Sequence, residues 1–444
     1  MKITKEIIQR IEGEATLELE WKEDKIDFAR VKFLNYRAIE AILQKRPLLD
    51  SLMITPRICG ICSHSHVITS VMAIEDVYTN AGVEIQITPK AQKIRDLALN
   101  VEKIQNHIKW FYFLILPELF KLNGEKFAQS EPFRDKEWFE AQKAIRNIIK
   151  VGSIFCGQWP HGSFVMPGGV TCDPLKSDVV DAKSYLEDVK EFLESYLFNS
   201  TLDEFLDLQS VIDIMDTNST IDKAVYYMKE SGFNQIGQSY DKFLVLGGKR
   251  SRKSIKTTVY NADVKYVSES LEGTFFESKE SGFTYSKSAL YKGNYYETGP
   301  LARAIISKDK FIKDCHRRCK DSSLTRVLSR VREIAKLMND TEEILESLDI
   351  SQKSMNTPKF LPKNITSFGK GVTEAARGSL IHDISVKNGL IESYDIITPT
   401  VWNLGNGTKE NPSTIQKAII GLNSVEEADF VFKSFDVCSV CTTH

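Results

Sequence analysis

The sequence predicts an α+β fold, mainly α, with a core of long helices and small β-sheets at its edge. Apolar residues recur at helical spacing over 89–122, 135–151, 178–199, 219–232 and 322–347. Alternation of apolar and polar residues is found instead over 15–33, and short β-like runs crowd 240–300. The 444 residues are 42% hydrophobic, enough to bury one large domain or two or three ordinary ones.

From the N-terminus, A-T-L-E-L-E-W and I-D-F-A-R-V-K-F flank the polar turn K-E-D-K as a β-hairpin. Tyr36 to Gln44 puts Ala38, Ile39 and Ile42 on one side of a short helix. Pro56 opens a loop, and His66 to Tyr78 follows as helix. Thr79 to Ile87 is a polar break. The long helix of 89–122 is expected to end or bend at Pro117, which has no N–H to give. The stretch G-Q-W-P-H-G-S-F-V-M-P-G-G-V-T within 157–174 interrupts the helices. So much irregular backbone hints at a loop beside a site. Between 240 and 300 the runs F-L-V-L, T-T-V-Y, V-K-Y-V, T-F-F and Y-Y-E-T predict strands. Residues 364–403 read as loop, helix cap, hairpin and loop, turning at Asn388-Gly389.

The formal charge is −2, so there is no bulk electrostatic case for nucleic acid or an anionic membrane. No stretch reaches the roughly 18 apolar residues of a membrane span. The start M-K-I-T-K-E-I-I-Q-R lacks the apolar run of a signal peptide. Eight cysteines in this length are no disulfide framework and fit a reducing compartment. A cytoplasmic location is expected, with membrane association or export through a partner subunit as the other route.

Two stretches carry chemistry: R-I-C-G-I-C-S-H-S-H, with Cys59, Cys62 and His66, and D-V-C-S-V-C-T-T-H, with Cys438, Cys441 and His444. Four thiolates form a soft donor set for zinc, nickel, copper(I) or iron–sulfur. Nearly the whole chain separates the pairs, unlike a local zinc knuckle. The residues themselves leave open a structural zinc, a four-iron cluster and a catalytic soft-metal centre. A C-terminus that carries two such cysteines is expected to be buried and held. Cys315 and Cys319 lie four apart beside His316 with no second pair, and are expected to be free. Cys156 and Cys172 read as small buried residues.

These two stretches resemble the signatures of the large, catalytic subunit of nickel–iron hydrogenases. So do Arg10 to Gly13, Arg37 to Glu40, P-H-G-S-F-V-M-P-G-G, Gly299 to Arg303, Glu374 to Gly378 and Pro399 to Asn403, in the family's order. The resemblance implies that family's large-subunit fold over 1–444 as a single catalytic domain. Within it, 1–70 holds the hairpin and first cysteine pair, 89–235 the helical bundle, 240–305 a small β-rich region, and 322–444 a helix, a hairpin and the last pair. It implies reversible heterolytic cleavage of dihydrogen, in the oxidising direction, with electrons passed to an iron–sulfur small subunit. A slow hydrogen sensor is the alternative, and a complex I-like scaffold a remote one that the four cysteines oppose.

The implied cofactors are nickel, an iron with one carbon monoxide and two cyanides, and a magnesium-type divalent ion. No iron–sulfur cluster is expected in this chain, because no cysteine pattern remains for one. By the same resemblance Cys59 and Cys438 are terminal nickel thiolates and Cys62 and Cys441 bridge the metals. Cys438 is also the base, and His66 hydrogen-bonds a bridging sulfur. Arg377 lies over the open side of the metals, paired with Asp436 and close to Glu118. Thr400 donates to a cyanide, in a pocket where Ala376 stands at a position often proline; Val437 departs likewise. Glu12 starts the proton exit, with Glu14 where histidine is common. Glu40, the carbonyl of Ile396 and His444 hold the divalent ion. Expected partners are the small subunit, as a heterodimer or larger complex, and a C-terminal protease if the chain is made with an extension.

Overall fold

The structure, a computed structural model, describes residues 2–9, 11–123, 133–246, 263–356 and 363–444. Arg10 and the T-T-V-Y run lie outside the described residues.

The chain opens on an antiparallel sheet of β1 (Lys2–Ile8), β2 (Ala15–Lys22) and β3 (Lys25–Lys32), in that order. The expected hairpin is β2–β3, and its turn residues Glu23 and Asp24 take φ of 51° and 60°. Strand β1 has no sequence signal, because only Ile8 is buried and no alternation develops. Helices α1 (Ile39–Leu43), α2 (Ser51–Ile54) and α3 (Ser63–Asn80) follow, then α4 (Pro89–Trp110), capped by the Thr88 hydroxyl, which accepts from the Ala91 N–H. A π turn at Phe111–Ile115 joins α4 to α5 (Leu116–Asn123). Pro117 therefore does not end the helix: the wide turn before it absorbs the ring and the missing N–H. Next come α6 (Lys136–Cys156), the two-residue strands β4 (Val165–Met166) and β5 (Gly169–Val170), α7 (Lys176–Phe192), α8 (Leu202–Asp207) and α9 (Thr220–Glu230).

The β-rich reading of 240–300 needs correction. Among the described residues this region pairs only β6 (Val267–Ser270) with β7 (Ser288–Tyr291), plus isolated bridges such as Phe243 to Glu297. Residues 243–246 and Tyr295 are buried mostly in loop, and Tyr266 and Phe276 are exposed, distinctions that short apolar runs do not encode. Then follow α10 (Pro300–Ile306), α11 (Lys310–Cys319) and α12 (Ser323–Glu346). Strands β8 (Ser367–Ala375), β9 (Gly378–Lys387) and β10 (Leu390–Ile397) form one sheet, and α13 (Pro399–Leu404), α14 (Thr414–Ile419) and α15 (Val425–Ser434) close the chain.

Helix α4 packs on both α6 and α12, burying Leu97, Val101, Ile104 and Ile108 against Ile148, Val151, Val327 and Val331. Strand β8 lies on α3 at backbone distance: a Cβ on Gly369 or Gly371 would strike the α3 backbone at Ala73 or Thr69. That approach brings the hydroxyls of Thr69 and Thr373 to 2.6 Å. The N-terminal sheet packs instead on α14 and α15, through Leu17, Val31, Ile415 and Phe432. No helix among the described residues is long and apolar enough to cross a membrane.

Candidate metal centre

Two segments from opposite ends of the chain meet between α3 and the end of α15. In the first, a 3-10 turn at Thr55–Ile58 gives way to an extended Cys59, and Cys62 is the N-cap of α3. In the second, Asp436 turns the chain at φ 62°, Cys438 is extended, and Ser439–Cys441 forms a 3-10 turn. Each Cys-x-x-Cys thus has one cysteine in extended backbone and one at a helical turn, which aims both sulfurs inward. Cys438 Sγ lies 3.6 Å from Cys59 Sγ and 2.9 Å from Cys441 Sγ, and Cys62 Sγ lies 3.3 Å from Cys441 Sγ. All four are buried within 4.8 Å of one another, the one such cluster of ligand side chains among the described residues.

Burial opposes ionisation of Cys59, but hydrogen bonds from Cys438, Cys441 and Cys62 and the charge of Arg377 outweigh it and hold that thiol well below its usual range. Burial, and hydrogen bonds within the set, push Cys62 and Cys441 well above theirs. Four buried sulfurs this close together, with Cys59 held toward its ionised form, make a soft, electron-rich donor set. Soft cations fit it by replacing the thiol protons.

Arg37, which the sequence reading left without a role, stitches the halves together. Its guanidinium donates to the carbonyls of Ile58, at 2.6 Å, and Val440, and its own N–H donates to the carbonyl of Thr443 at 2.9 Å. On the other side the Ser439 N–H donates to the Glu12 carbonyl at 2.9 Å, and a side chain at Gly13 (φ 87°) would collide with Ser439. The Glu12 carboxylate, half-buried, accepts from Lys109 Nζ at 2.6 Å. It borders a cavity of about 350 Å³, also lined by Ile61, Asn106, Leu114, Arg377 and Val437.

Ala376 and Arg377 are the two turn residues of the β8–β9 hairpin. Arg303 clamps that tip by donating to the carbonyls of Ala375 (3.0 Å) and Ala376 (3.2 Å) while pairing with Glu374 and Glu333. Arg377 Nε donates to the Asp436 carbonyl at 3.1 Å and Nη2 meets the Asp436 carboxylate at 3.0 Å. Burial opposes the charge on Arg377, but the Asp436 carboxylate and the nearby sulfurs of Cys438, Cys62 and Cys59 outweigh it and raise its pKa well above normal. Arg377 Nη1 and Thr400 Oγ1, both buried, have no hydrogen-bond partner in the protein. Two orphaned donors beside a thiolate cage suit an acceptor ligand on the metal.

Glu118 is not close to Arg377. It pairs with Lys433 Nζ at 2.9 Å. Asn106, three helical turns earlier, fills that place: its amide donates to Asp436 Oδ2 at 2.9 Å and accepts from Arg377 Nη2 at 3.0 Å. One signal for Asn106 was available, a polar residue on the buried face of α4. His66, in the first turn of α3, points Nε2 at Cys441 Sγ from 4.0 Å, and burial pulls its pKa down to about 3. His107 binds Glu333 at 2.8 Å. The Cys315 thiol faces Thr325 and His316 binds Asp241, so the third cysteine pair converges on no cluster.

His444, the last residue of the sequence, is buried. His444 Nδ1 is 2.9 Å from the Cys441 carbonyl, which only accepts, so Nδ1 carries the proton. Nε2 faces Glu40 Oε1 at 3.3 Å. A bare nitrogen facing a carboxylate needs a proton or a cation between them. Burial would raise the Glu40 pKa, but His444, Lys287 and the Ile396 N–H outweigh it and hold it at about 2. The Ile396 N–H donates to Glu40 Oε1 at 2.9 Å. Lys287, 3.3 Å from Glu40 and 3.1 Å from Glu269, had no sequence signal.

Glu102, fully buried on α4, accepts from the N–H groups of His64 (2.7 Å) and Ser65 (3.2 Å) and from the Ser65 hydroxyl, capping α3 beside Cys62. Burial lifts its pKa from 4.5 to about 8 against those bonds. A carboxylate raised on folding costs stability as pH climbs through that interval. Glu102→Gln is therefore expected to gain thermal stability relative to the parent between about pH 5 and about pH 8. Parallel melting curves check it, and an advantage that shrinks with rising pH would contradict it.

A thiolate cage closed by both ends of a mainly helical domain defines a soft-metal enzyme subunit. The sequence profile of the nickel-dependent hydrogenase family matches residues 37–117 and 134–444, and the chain belongs to that family. Over its whole length it is 23% identical to the periplasmic [NiFeSe] hydrogenase large subunit of Desulfomicrobium baculatum and 25% identical to the uptake hydrogenase large subunit of Rhizobium leguminosarum bv. viciae, covering 95% of each. The fold matches the Ni-Fe-Se hydrogenase of Desulfovibrio vulgaris Hildenborough with a TM-score of 0.82 at 22% identity, and that of Desulfomicrobium baculatum with 0.83 at 21%, each over both whole chains. The chain is thus a nickel-dependent hydrogenase large subunit, an oxidoreductase acting on dihydrogen, with four clustered cysteines that could hold a metal.

Proposed function

We propose that this subunit splits dihydrogen heterolytically at a nickel–iron pair, works in the oxidising direction, and passes the electrons to an iron–sulfur small subunit. The observation that carries the reading is the four-sulfur cage beneath a guanidinium with one free donor face. When bound, a nickel and an iron carrying one carbon monoxide and two cyanides supply the Lewis acidity and redox capacity that polarise dihydrogen. Cys59 and Cys438 would hold nickel, and Cys62 and Cys441 would serve both metals. Thr400 Oγ1 and the N–H groups around Ala376 and Arg377 would donate to the cyanides.

The protein's own residues do the rest. Arg377, gripped by Asp436 and Asn106, keeps its charge and its free Nη1 over the open face, and the cavity by Ile61 and Leu114 admits a small apolar substrate. Cys438 Sγ takes the proton. The Glu12 backbone is bonded to the segment that carries Cys438, so its carboxylate receives that proton at the cavity wall and passes it out by Lys109. His444 and Glu40, with the Ile396 carbonyl, hold a hard divalent cation that secures the C-terminus. The eight cysteines leave no set for electron-carrying clusters, and the relatives are named large subunits, which supports an iron–sulfur partner.

The test is composition and spectrum of the purified complex. One nickel per large subunit is expected, with one iron beyond those of the partner's clusters and with carbon monoxide and cyanide bands in the infrared; zinc alone in active protein sinks the reading. Glu12→Gln keeps shape and removes the titrating group. It is expected to slow turnover by about 100-fold with metals retained, the scale of a lost general acid–base group. Hydrogen evolution at the parent's rate would leave Glu12 a structural residue.

A further inference from the structure

A buried run of rings and hydroxyls leads away from the metal cage. His66 Nδ1 is 3.1 Å from His382 Nε2 on β9, and His382 Nδ1 is 2.7 Å from the Tyr394 hydroxyl on β10. Tyr394 is 2.9 Å from Ser70 Oγ on α3, Ser70 is 3.2 Å from Ser51 Oγ on α2, and Ser51 donates to the Leu48 carbonyl at 2.8 Å. All five side chains beyond Cys441 are buried, and each ring's hydrogen-bond partners are other rings, a hydroxyl or the thiol.

We propose that His382 and Tyr394 are positioning residues for the metal centre, which set the ring nitrogen of His66 that carries its proton and so whether His66 donates to Cys441. The inference rests on the nickel–iron reading above. A neutral imidazole has one N–H and one bare nitrogen. Read from the Leu48 carbonyl, the run is polarised one way. Ser51 donates to Leu48, Ser70 to Ser51, Tyr394 to Ser70, His382 Nδ1 to Tyr394, and His66 Nδ1 to His382 Nε2. His66 Nε2 is then bare, which suits a Cys441 that still bears its proton.

A bridging sulfur between two metals has no proton and can only accept. His66 serves it by carrying its proton on Nε2. Its Nδ1 must then accept from His382 Nε2, and His382 Nδ1 must accept from Tyr394. The two directions meet at Tyr394, whose one proton points to Ser70 in the first and to His382 in the second. Thr69 to Thr373 and the close seat of β8 on α3 hold the sheet of His382 and Tyr394 against the helix that carries His66. An N–H donated to a bridging sulfur draws charge from it, and thereby from the metals.

The experiment compares infrared spectra of the purified, metal-loaded complex for the parent, Tyr394→Phe, His382→Leu and His382→Gln. Tyr394→Phe and His382→Leu are expected to move the carbon monoxide and cyanide bands together to lower wavenumber, because more charge stays on the sulfur. His382→Gln is expected to keep the parent positions, because its amide N–H reaches His66 Nδ1. Unmoved bands in Tyr394→Phe, or a Gln variant displaced as far as the Leu variant, would overturn the proposal. If His382→Leu fails to load metal, Tyr394→Phe, which loses a single oxygen, decides. Absence of the bands in the parent would instead overturn the nickel–iron reading.

Discussion

Arg377→Lys is expected to lose about 100-fold or more in kcat while nickel and iron stay bound, the scale of removing one preorganised donor from a site of developing charge. The guanidinium has three things to do at once. Nε and Nη2 hold the carbonyl and carboxylate of Asp436, Nη2 also meets Asn106, and Nη1 is left facing the site. Its backbone is the tip of a two-residue hairpin gripped by Arg303. A lysine ammonium keeps the charge but has a single nitrogen on a flexible stem, so it satisfies Asp436 or faces the metals, not both. Left behind, Asp436 still has Arg330 at 3.2 Å, so the fold survives. Hydrogen uptake with an artificial acceptor, measured beside metal content, checks the outcome. Parent-like turnover with full metal would remove the guanidinium from the rate-limiting chemistry.

What the sequence made legible follows from how strongly each feature constrains its neighbours. Long helices announce themselves by periodicity, so the continuous stretch from α4 through α5, and also α6 and α12, are legible to within about five residues. The cage was legible because four cysteines in two matched contexts permit little else. Charged residues that act through geometry were harder. Glu118 and Asn106 lie on one continuous helical stretch, and sequence alone does not say which turn faces Arg377; the π turn between them also changes the phase. Arg37, Arg303 and Lys287 contact backbone or carboxylates far away in sequence, and an isolated basic residue carries no local mark of that. Strand β8 was missed because Gly369 and Gly371, needed for its seat on α3, erase the apolar alternation that reveals a strand.

Ten polar residues fused after His444 are expected to abolish hydrogen uptake and to leave the cysteine cage unclosed. The last residues are packed on every side: Cys438, Cys441, Thr442, Thr443 and His444 are all buried. Thr398 Oγ1 donates to the Cys441 carbonyl at 2.8 Å, the Arg37 N–H to the Thr443 carbonyl, and Arg37 also reaches Val440. His444 itself closes on Glu40, with Lys287 and Glu269 behind. A peptide continuing from His444 would have to pass through this packing, and each buried N–H or carbonyl left unpaired costs about 1–3 kcal/mol. A few such groups exceed what Arg37 and Thr398 return on closure, so the tail stays open and takes Cys438 and Cys441 away from Cys59 and Cys62. A protease site placed directly after His444 makes the effect reversible: cutting is expected to restore uptake and the infrared bands in the same sample. Full uptake by a complex whose extension is still present by mass spectrometry would refute it, and would mean that the chain has an exit beside Glu40.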